Sequence, residues 1–442
     1  TIVNQSLKYL DSLAGESADD AALQGELASA YEQVGNLQGD PRKANLNDFD
    51  GAIASYQKAQ AIRQRRLQND RADLENRRLL ARSFSDLSRI RYHMHDFPGA
   101  LKDAHVAFDL YRDLLADRPA ARPIQLALAE TQIDLANNYY FNNNFAETYQ
   151  YLQTAQSALE PLRTGESEDR EVSRLLGRIH TLRGVTFSWD SRQAEAEAEM
   201  SQGLAIYELL MRDRPNDAVL RQELLRAYWE AASVYEIVDN PRSFRFLDQA
   251  RQLSAEAVAL DALDMQAQHN LGKTYSRMGE LAYYLGDPEI ISYYEKGLDI
   301  LTRLEKNEPR NLTFKADLAR CYNGRALVDL EGGRLGQALA GHLRAAELFT
   351  TAIRAGGENN TLRRHLAVTH QYLGIARTRL AAAEKDPLRR AAHRQSARED
   401  YQRGLDILLQ LKAQNALPSF DFKIIGELET ALRENEEEDK KN

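Results

Sequence analysis

Residues 52–59 read Ala-Ile-Ala-Ser-Tyr-Gln-Lys-Ala, and residues 338–345 read Ala-Leu-Ala-Gly-His-Leu-Arg-Ala. In both stretches an alanine, a ring and a second alanine occupy offsets 0, +4 and +7, which lie on one stripe of an α-helix. No comparable stretch alternates with period two, as a half-buried β-strand would. The pattern therefore predicts an all-α chain.

The stripe belongs to a repeat that runs through the chain. Small or apolar anchor residues recur at intervals of 53, 48, 48, 48, 47, 47 and 48 residues. Each anchor is followed, about one helix later, by another small residue, as two closely packed antiparallel helices require. Proline-containing turn sequences lie between these segments. The anchors are Ala28, Ala81, Ala129, Gly177, Leu225, Gly272, Ala319 and Ala367.

This repeated pattern of two helices with small residues at their contact resembles the tetratricopeptide repeat (TPR) family, whose helix-turn-helix units have about 34 residues. The units here are longer by roughly 13 residues, which about two extra turns in each helix would supply. HEAT-type helical repeats are the structural alternative. The resemblance implies a right-handed superhelical solenoid of about eight long repeats of 47–48 residues, with first helices lining a concave wall. We predict a capping helix at 1–20, the solenoid at 21–419, and a second capping helix with an acidic tail at 420–442.

The opening is more specific than the remainder. Residues 6–14, 23–35, 38–41, 45–48 and 51–59 together resemble the TPR region of bacterial multidomain Ser/Thr protein kinases or winged-helix regulators. The match covers about the first 65 residues, and Asn47 stands where that family has Gly. The resemblance implies a cytoplasmic regulatory module attached to an output domain. The chain lacks an initial Met, which suggests that it comes from a longer protein.

The composition argues against several classes of protein. The 442 residues include 57 Lys and Arg, 66 Asp and Glu and one Cys, giving a formal charge of −9. A single cysteine forms no internal disulfide, and no apolar run approaches the ~20 residues of a membrane helix. The acidic balance argues against nucleic acid as a partner. We therefore expect no membrane and no nucleic acid among the partners.

Motifs for chemistry are missing. The sequence contains no kinase catalytic loop, Walker A, G-x-S-x-G or His-Glu-x-x-His pattern. His93 and His95 have a poor spacing for a metal, and Cys321, beside the anchor Ala319, suggests core packing rather than a nucleophile. We predict no enzyme activity, no catalytic residue, no metal and no cofactor for this chain.

Two columns on the first helices define a candidate binding site. Five of the eight residues that follow the anchors are basic, and three arginines stand one turn earlier. Positions four apart share a helix face, so these residues predict a basic stripe on the concave wall. The predicted groove residues are Arg82, Arg174, Arg178, Arg226, Lys273, Arg320 and Asn323.

Such a stripe favours a short acidic or extended peptide, because arginine offers paired donors to carboxylates. Arg82 and Arg226 have a carboxylate four residues later, whereas Arg178, Lys273 and Arg320 have none at that position. A solvated surface is the alternative for the stripe. For the whole chain, the alternatives are a self-associating scaffold and a small-ligand sensor that controls an attached kinase or transcription factor.

Overall fold

The structure is a computed structural model. It describes residues 2–16, 20–42, 45–46, 48–94, 96–142, 144–163, 170–236, 238–356, 359–414, 416–417 and 421–441. Regular structure in these residues is helical throughout, with a short 3-10 helix at Glu160–Leu162 and eighteen α-helices. Their bounds are α1 Ile2–Glu16, α2 Ala21–Gly39, α3 Phe49–Asn69, α4 Leu74–His93, α5 Phe97–Asp117, α6 Arg122–Phe141, α7 Phe145–Leu159, α8 Arg170–Trp189, α9 Gln193–Asp213, α10 Ala218–Tyr235, α11 Asn240–Leu260, α12 Met265–Leu285, α13 Ile290–Asn307, α14 Leu312–Glu331, α15 Leu335–Gly356, α16 Asn360–Ala383, α17 Pro387–Ala413 and α18 Phe422–Lys441.

The anchor period of the sequence is the period of the helices. Each first helix, from α2 to α16 in steps of two, begins seven residues before its anchor. Aspartate or asparagine caps several of these starts: Asp20 Oδ1 accepts hydrogen bonds from the Ala22 and Leu23 amides, at 2.9 and 3.0 Å. The all-α, TPR-like helix-pair repeat is confirmed.

Small residues let the two helices of a unit approach closely. An added Cβ at Gly203 of α9 would lie 2.6 Å from Thr181 Cγ2 and 3.1 Å from the Gly177 carbonyl oxygen of α8. Ala28 and Ala59, the anchors of the first unit, are fully buried. The recurring small residues therefore mark points of helix-to-helix contact.

The chain forms two compact units, Thr1–Gln268 and His269–Asn442. In unit 1, α2 to α11 pack as five consecutive pairs, and α1 packs on α2 through Leu7, Leu10 and Leu13. Neighbouring first helices pack directly against one another, whereas neighbouring second helices lie farther apart in the described residues. The first helices of unit 1 therefore form its inner face.

In unit 2, α14 pairs with α15 and α16 with α17, while Gly279 of α12 faces the Tyr294 ring of α13. Helix α18 packs on α17 through Ile425 and Leu428, which are buried. It continues to Lys441, so the acidic tail is part of this helix, and Phe420 lies outside the described residues. Among the described helices, none has the length and apolar character that crossing a membrane requires.

Candidate binding surface on the first helices

The predicted basic column occupies two structurally different settings in unit 1. The Arg82 side chain is 57% exposed and its Nε lies 3.7 Å from Asp86 Oδ2. Arg174 and Arg178 are buried, with side chains 9% and 7% exposed. Buried arginines in this setting require carboxylate partners, because burying an uncompensated charge is costly.

Arg174 of α8 has three such partners. Its Nη1 donates to Glu223 Oε1 of α10 at 2.6 Å, and its Nη2 donates to Glu130 Oε1 of α6 at 3.0 Å. Glu171, one turn earlier on α8, accepts from the same Nη2 at 2.6 Å. One guanidinium thus joins three consecutive first helices.

Arg178 continues this arrangement toward the N-terminus. Its Nη2 donates to Asp134 Oδ1 of α6 at 2.7 Å, and Asp134 Oδ2 accepts from Arg89 Nη1 of α4 at 2.7 Å. Arg89 also donates to Asp86, which accepts from Arg42 in the turn after α2 at 3.0 Å. We call this set, from Arg42 to Arg174 and its partners, the ion-pair ladder.

The ladder changes the sign predicted for the inner face. With the Arg82 and Arg226 pairs it contains six arginines against seven carboxylates, a formal charge of −1. Arg178 has no carboxylate four residues later on its own helix, but Glu130 and Asp134 of the neighbouring first helix neutralise it. Burial alone would raise the pKa of Glu130, but Arg174, Arg89 and Arg178 outweigh it and hold the pKa well below its usual range.

Arg226 lies at the C-terminal end of this surface. Its Nε is 3.5 Å from Glu230 Oε1, and about a third of its side chain is exposed. Burial outweighs the attraction of Arg226 and raises the pKa of Glu230. Arg226 is therefore recessed in the inner face but still reached by solvent.

The three remaining predicted residues belong to unit 2. Arg320 has no carboxylate four residues later, but it pairs with Asp317 three residues earlier. Asp317 Oδ2 lies 2.6 Å from His269 Nε2. Burial lowers the pKa of Lys273 to about 8, helped by Arg320 and Arg277 and opposed by Asp317. Asn323 Oδ1 lies 2.7 Å from Nδ1 of the buried His342.

An open cleft of about 550 Å³ lies between α2 and α4, with α3 as its floor. Two polar side chains form the bottom of the cleft, Arg63 of α3 and Asn76 of α4, and they are only 1% and 2% exposed. Arg63 donates from Nε and Nη2 to the two carboxylate oxygens of Glu32, at 2.7 and 2.8 Å. Arg63 Nη1 has a long contact of 3.5 Å with Asn76 Oδ1, and the Asn76 amide donates to the Arg63 carbonyl at 2.9 Å. These paired contacts fix the floor of the cleft.

The absence of a side chain at Gly25 lets Arg66 form one side wall of the cleft. Arg66 of α3 reaches over Gly25 and donates from Nη1 to the Ala21 carbonyl at 2.8 Å, and from Nη2 to Asp73 at 3.0 Å. An added Cβ at Gly25 would lie 2.2 Å from Arg66 Nη1. Any larger residue at this position would therefore displace Arg66.

The basic columns of the sequence do not indicate this cleft, because small residues of α2 leave it open. The two columns that carry Arg174 and Arg178 in α8 carry Gly25 and Ser29 in α2. Ion pairs fill the space between α6 and α8, whereas these small residues leave the space between α2 and α4 open. Arg63 stands out in the sequence because it is the charged residue of a largely apolar column. This column lies four residues after the small residue of each second helix, such as Ala59, and reads Arg63, Tyr111, Leu159, Tyr207, Ser254, Leu301, Phe349 and Leu408.

The candidate metal ligands of the sequence form no metal site in the described residues. His95 lies outside them, and no three His, Cys, Asp or Glu residues within them could hold a metal ion. Cys321 is fully buried, and burial raises the pKa of its thiol to about 12. This cysteine packs in the core of unit 2.

Comparison with known proteins gives structural neighbours alone. No family model and no curated protein matches the chain. The crystal structure of aspartyl phosphate phosphatase F from Bacillus subtilis is 17% identical, with a TM-score of 0.47, over 78% of this chain and 76% of that one. A Rap protein complexed with competence and sporulation factor is 12% identical, with a TM-score of 0.47, over 94% of this chain and 99% of that one. The S. pombe nuclear import adaptor Nro1 is 11% identical, with a TM-score of 0.38, over 68% and 98%.

These TM-scores are all below 0.5, so no activity or partner is carried over from those structures. The class of the protein rests on its own helices: consecutive antiparallel pairs with a period of 47 to 48 residues and first helices on the inner face of unit 1. It is an all-α protein with a TPR-like helix-pair repeat.

Proposed function

We propose that the chain is a protein-interaction module and that unit 1 binds an extended peptide segment in the cleft between α2 and α4. The observation that carries this proposal is the contrast along the inner face. Ion pairs occupy the space between α6 and α8, whereas about 550 Å³ stays open between α2 and α4. A concave site with a fixed polar floor suits a main chain that needs hydrogen-bond partners.

The cleft has the hydrogen-bonding groups that an extended peptide uses. The Arg66 side chain is 26% exposed and donates one hydrogen bond from Nη1 and one from Nη2, so its remaining N–H groups retain donor capacity for a peptide carbonyl. Gln33 is exposed on the α2 wall and offers both a donor and an acceptor. These side chains would hold the main chain of a peptide, while its side chains decide which peptide is preferred.

Selection from a random peptide library tests the proposal. Peptides of about eight residues are used, because an extended chain of that length exceeds the width of one helix pair. Selected peptides are then measured on Gln33→Trp, which fills the cleft, and on Gln57→Trp, its matched control on an exposed face of α3. We expect the control to bind like wild type and Gln33→Trp to lose about tenfold or more. Failure to select any peptide, or equal binding by both variants, would overturn the proposal.

The finer part of the proposal concerns the protein in which the module acts. We propose a cytoplasmic bacterial regulator in which this region recruits a partner to an attached kinase or winged-helix domain. The resemblance of the first 65 residues supports this assignment. The upstream reading frame tests it: a kinase catalytic loop or a winged-helix pattern is expected, and an in-frame stop codon directly upstream would contradict it.

A further inference from the structure

The charges around the α2–α4 cleft are unevenly satisfied. Both arginines of its lining already have carboxylate partners, Arg63 with Glu32 and Arg66 with Asp73. Glu75 on the rim is paired with Arg78 of the same helix, whose hydrogen bond lowers the pKa of Glu75. The positive charge of the floor is therefore neutralised within the protein.

Glu26 on the α2 wall differs from these residues. Its side chain is exposed and lines the cleft, and within the described part of the chain it has no ion pair. The twelve lining residues carry three carboxylates against two arginines, a formal charge of −1. The net charge of −9 adds a long-range field of the same sign.

Resting on the function proposed above, we propose that the cleft selects a basic peptide, with a backbone carbonyl near Arg66 and a Lys or Arg side chain beside Glu26. The acidic peptide expected from the arginine column has lost its basis in unit 1, because carboxylates of neighbouring helices neutralise that column. A basic side chain would meet an unpaired carboxylate at the cleft wall, and an acidic one would meet repulsion.

Fluorescence anisotropy with three designed peptides tests this charge preference. The peptides share length and a neutral framework and differ at two positions that hold Lys, Gln or Glu. They are measured on wild type, Glu26→Gln and the matched control Glu256→Gln, an exposed glutamate on the second helix α11. Both variants remove one surface carboxylate, so their effects on net charge are equal.

We expect the Lys peptide to bind about five- to tenfold more tightly than the Gln peptide, and the Glu peptide to bind most weakly. Glu26→Gln should reduce the Lys-peptide affinity about threefold or more without changing that of the Gln peptide. Glu256→Gln should leave both affinities unchanged. The preference for Lys should shrink as ionic strength rises, because screening weakens it.

Tighter binding of the Glu peptide, or equal effects of Glu26→Gln and Glu256→Gln, would overturn the charge assignment. The Gln peptide separates this failure from failure of the proposed function. If Gln33→Trp abolishes binding of the Gln peptide while no Lys preference is found, the cleft is a peptide site and only its basic selectivity is wrong. If Gln33→Trp changes the binding of no peptide, both proposals fail.

Discussion

Arg178 Nη2 of α8 lies 2.7 Å from Asp134 Oδ1 of α6, and the two side chains are only 7% and 6% exposed. Asp134 also accepts from Arg89 of α4, so one buried carboxylate joins three first helices. Coulombic attraction in this setting is screened little by solvent, and each charge depends on the others for compensation. The inner face of unit 1 is thereby cross-linked by ion pairs as well as by apolar contacts.

Replacing Asp134 with Ala should destabilise unit 1 strongly. The change leaves Arg89 and Arg178 partly uncompensated in a buried position, which costs about 3–5 kcal/mol. Urea unfolding followed by circular dichroism measures the loss. Arg82→Ala is the control, because its side chain is 57% exposed and its removal should cost at most about 0.5 kcal/mol. Similar losses for the two variants would show that the ladder adds little to stability.

Glycine 203 tests the close approach of paired helices. In Gly203→Ala the new Cβ would meet Thr181 Cγ2 and, at 3.1 Å, the Gly177 carbonyl oxygen, so α8 and α9 must separate. We expect a loss of about 1–3 kcal/mol in thermal or urea unfolding. Gly426→Ala, at an exposed position of α18, has open space around its Cβ and should gain up to about 1 kcal/mol from helix propensity. A neutral Gly203→Ala would contradict the packing.

Gly25→Ala should separate stability from binding. The added Cβ displaces Arg66 Nη1, the far end of a flexible side chain, from the Ala21 carbonyl. Losing that hydrogen bond costs about 1 kcal/mol, which the helix propensity of alanine offsets. Unfolding midpoints should stay close to wild type, while affinity for selected peptides falls several-fold because Arg66 moves into the cleft. Unchanged affinity would mean that Arg66 does not shape the site.

His342 should make the stability of unit 2 dependent on pH. The ring is fully buried, and burial lowers its pKa to about 4 against a weaker opposing attraction from Asp329. Its unfolded pKa is near 6.5, so the unfolded state takes up the proton first as pH falls. The free energy of unfolding should therefore decrease as the pH falls from about 6.5 to about 4. This histidine contributes at most about 3 kcal/mol to that decrease.

The His342→Tyr variant isolates that contribution, because Tyr56, Tyr294 and Tyr401 occupy the equivalent position in other repeats. Urea unfolding at several pH values is compared between wild type and variant. The difference in their unfolding free energies should change over this pH window and be constant above it. A difference independent of pH throughout would contradict the assigned burial of a neutral histidine.

The sequence was sufficient for the helix pairs because small anchors and turn residues are local signals with a fixed period. It was insufficient for the charges because ion pairs depend on the register between neighbouring first helices. Arg174–Glu130 and Arg178–Asp134 are each 44 residues apart, one repeat of 48 less about one helical turn. Positions three or four residues apart on one helix therefore do not reveal these ion pairs.

The cleft shows the same limit. Gly25 and Ser29 carry no charge, so they attract no attention in a search for binding groups. Their importance appears once α2 and α4 are placed side by side and the missing side chains leave space. Arg63, a charged residue in a largely apolar column, was the one signal within reach of the sequence.

Photo-crosslinking tests the central claim, that a peptide lies in the cleft between α2 and α4. A benzoylphenylalanine is placed at one end of a selected peptide, the peptide is irradiated with the wild-type protein, and the crosslinked residues are located by mass spectrometry. The account predicts crosslinks to the cleft walls at Gln33 or Leu79 that excess unlabelled peptide removes, and none to Gln57 on an exposed face of α3. Crosslinks to Gln57 with none to Gln33 or Leu79 would contradict it.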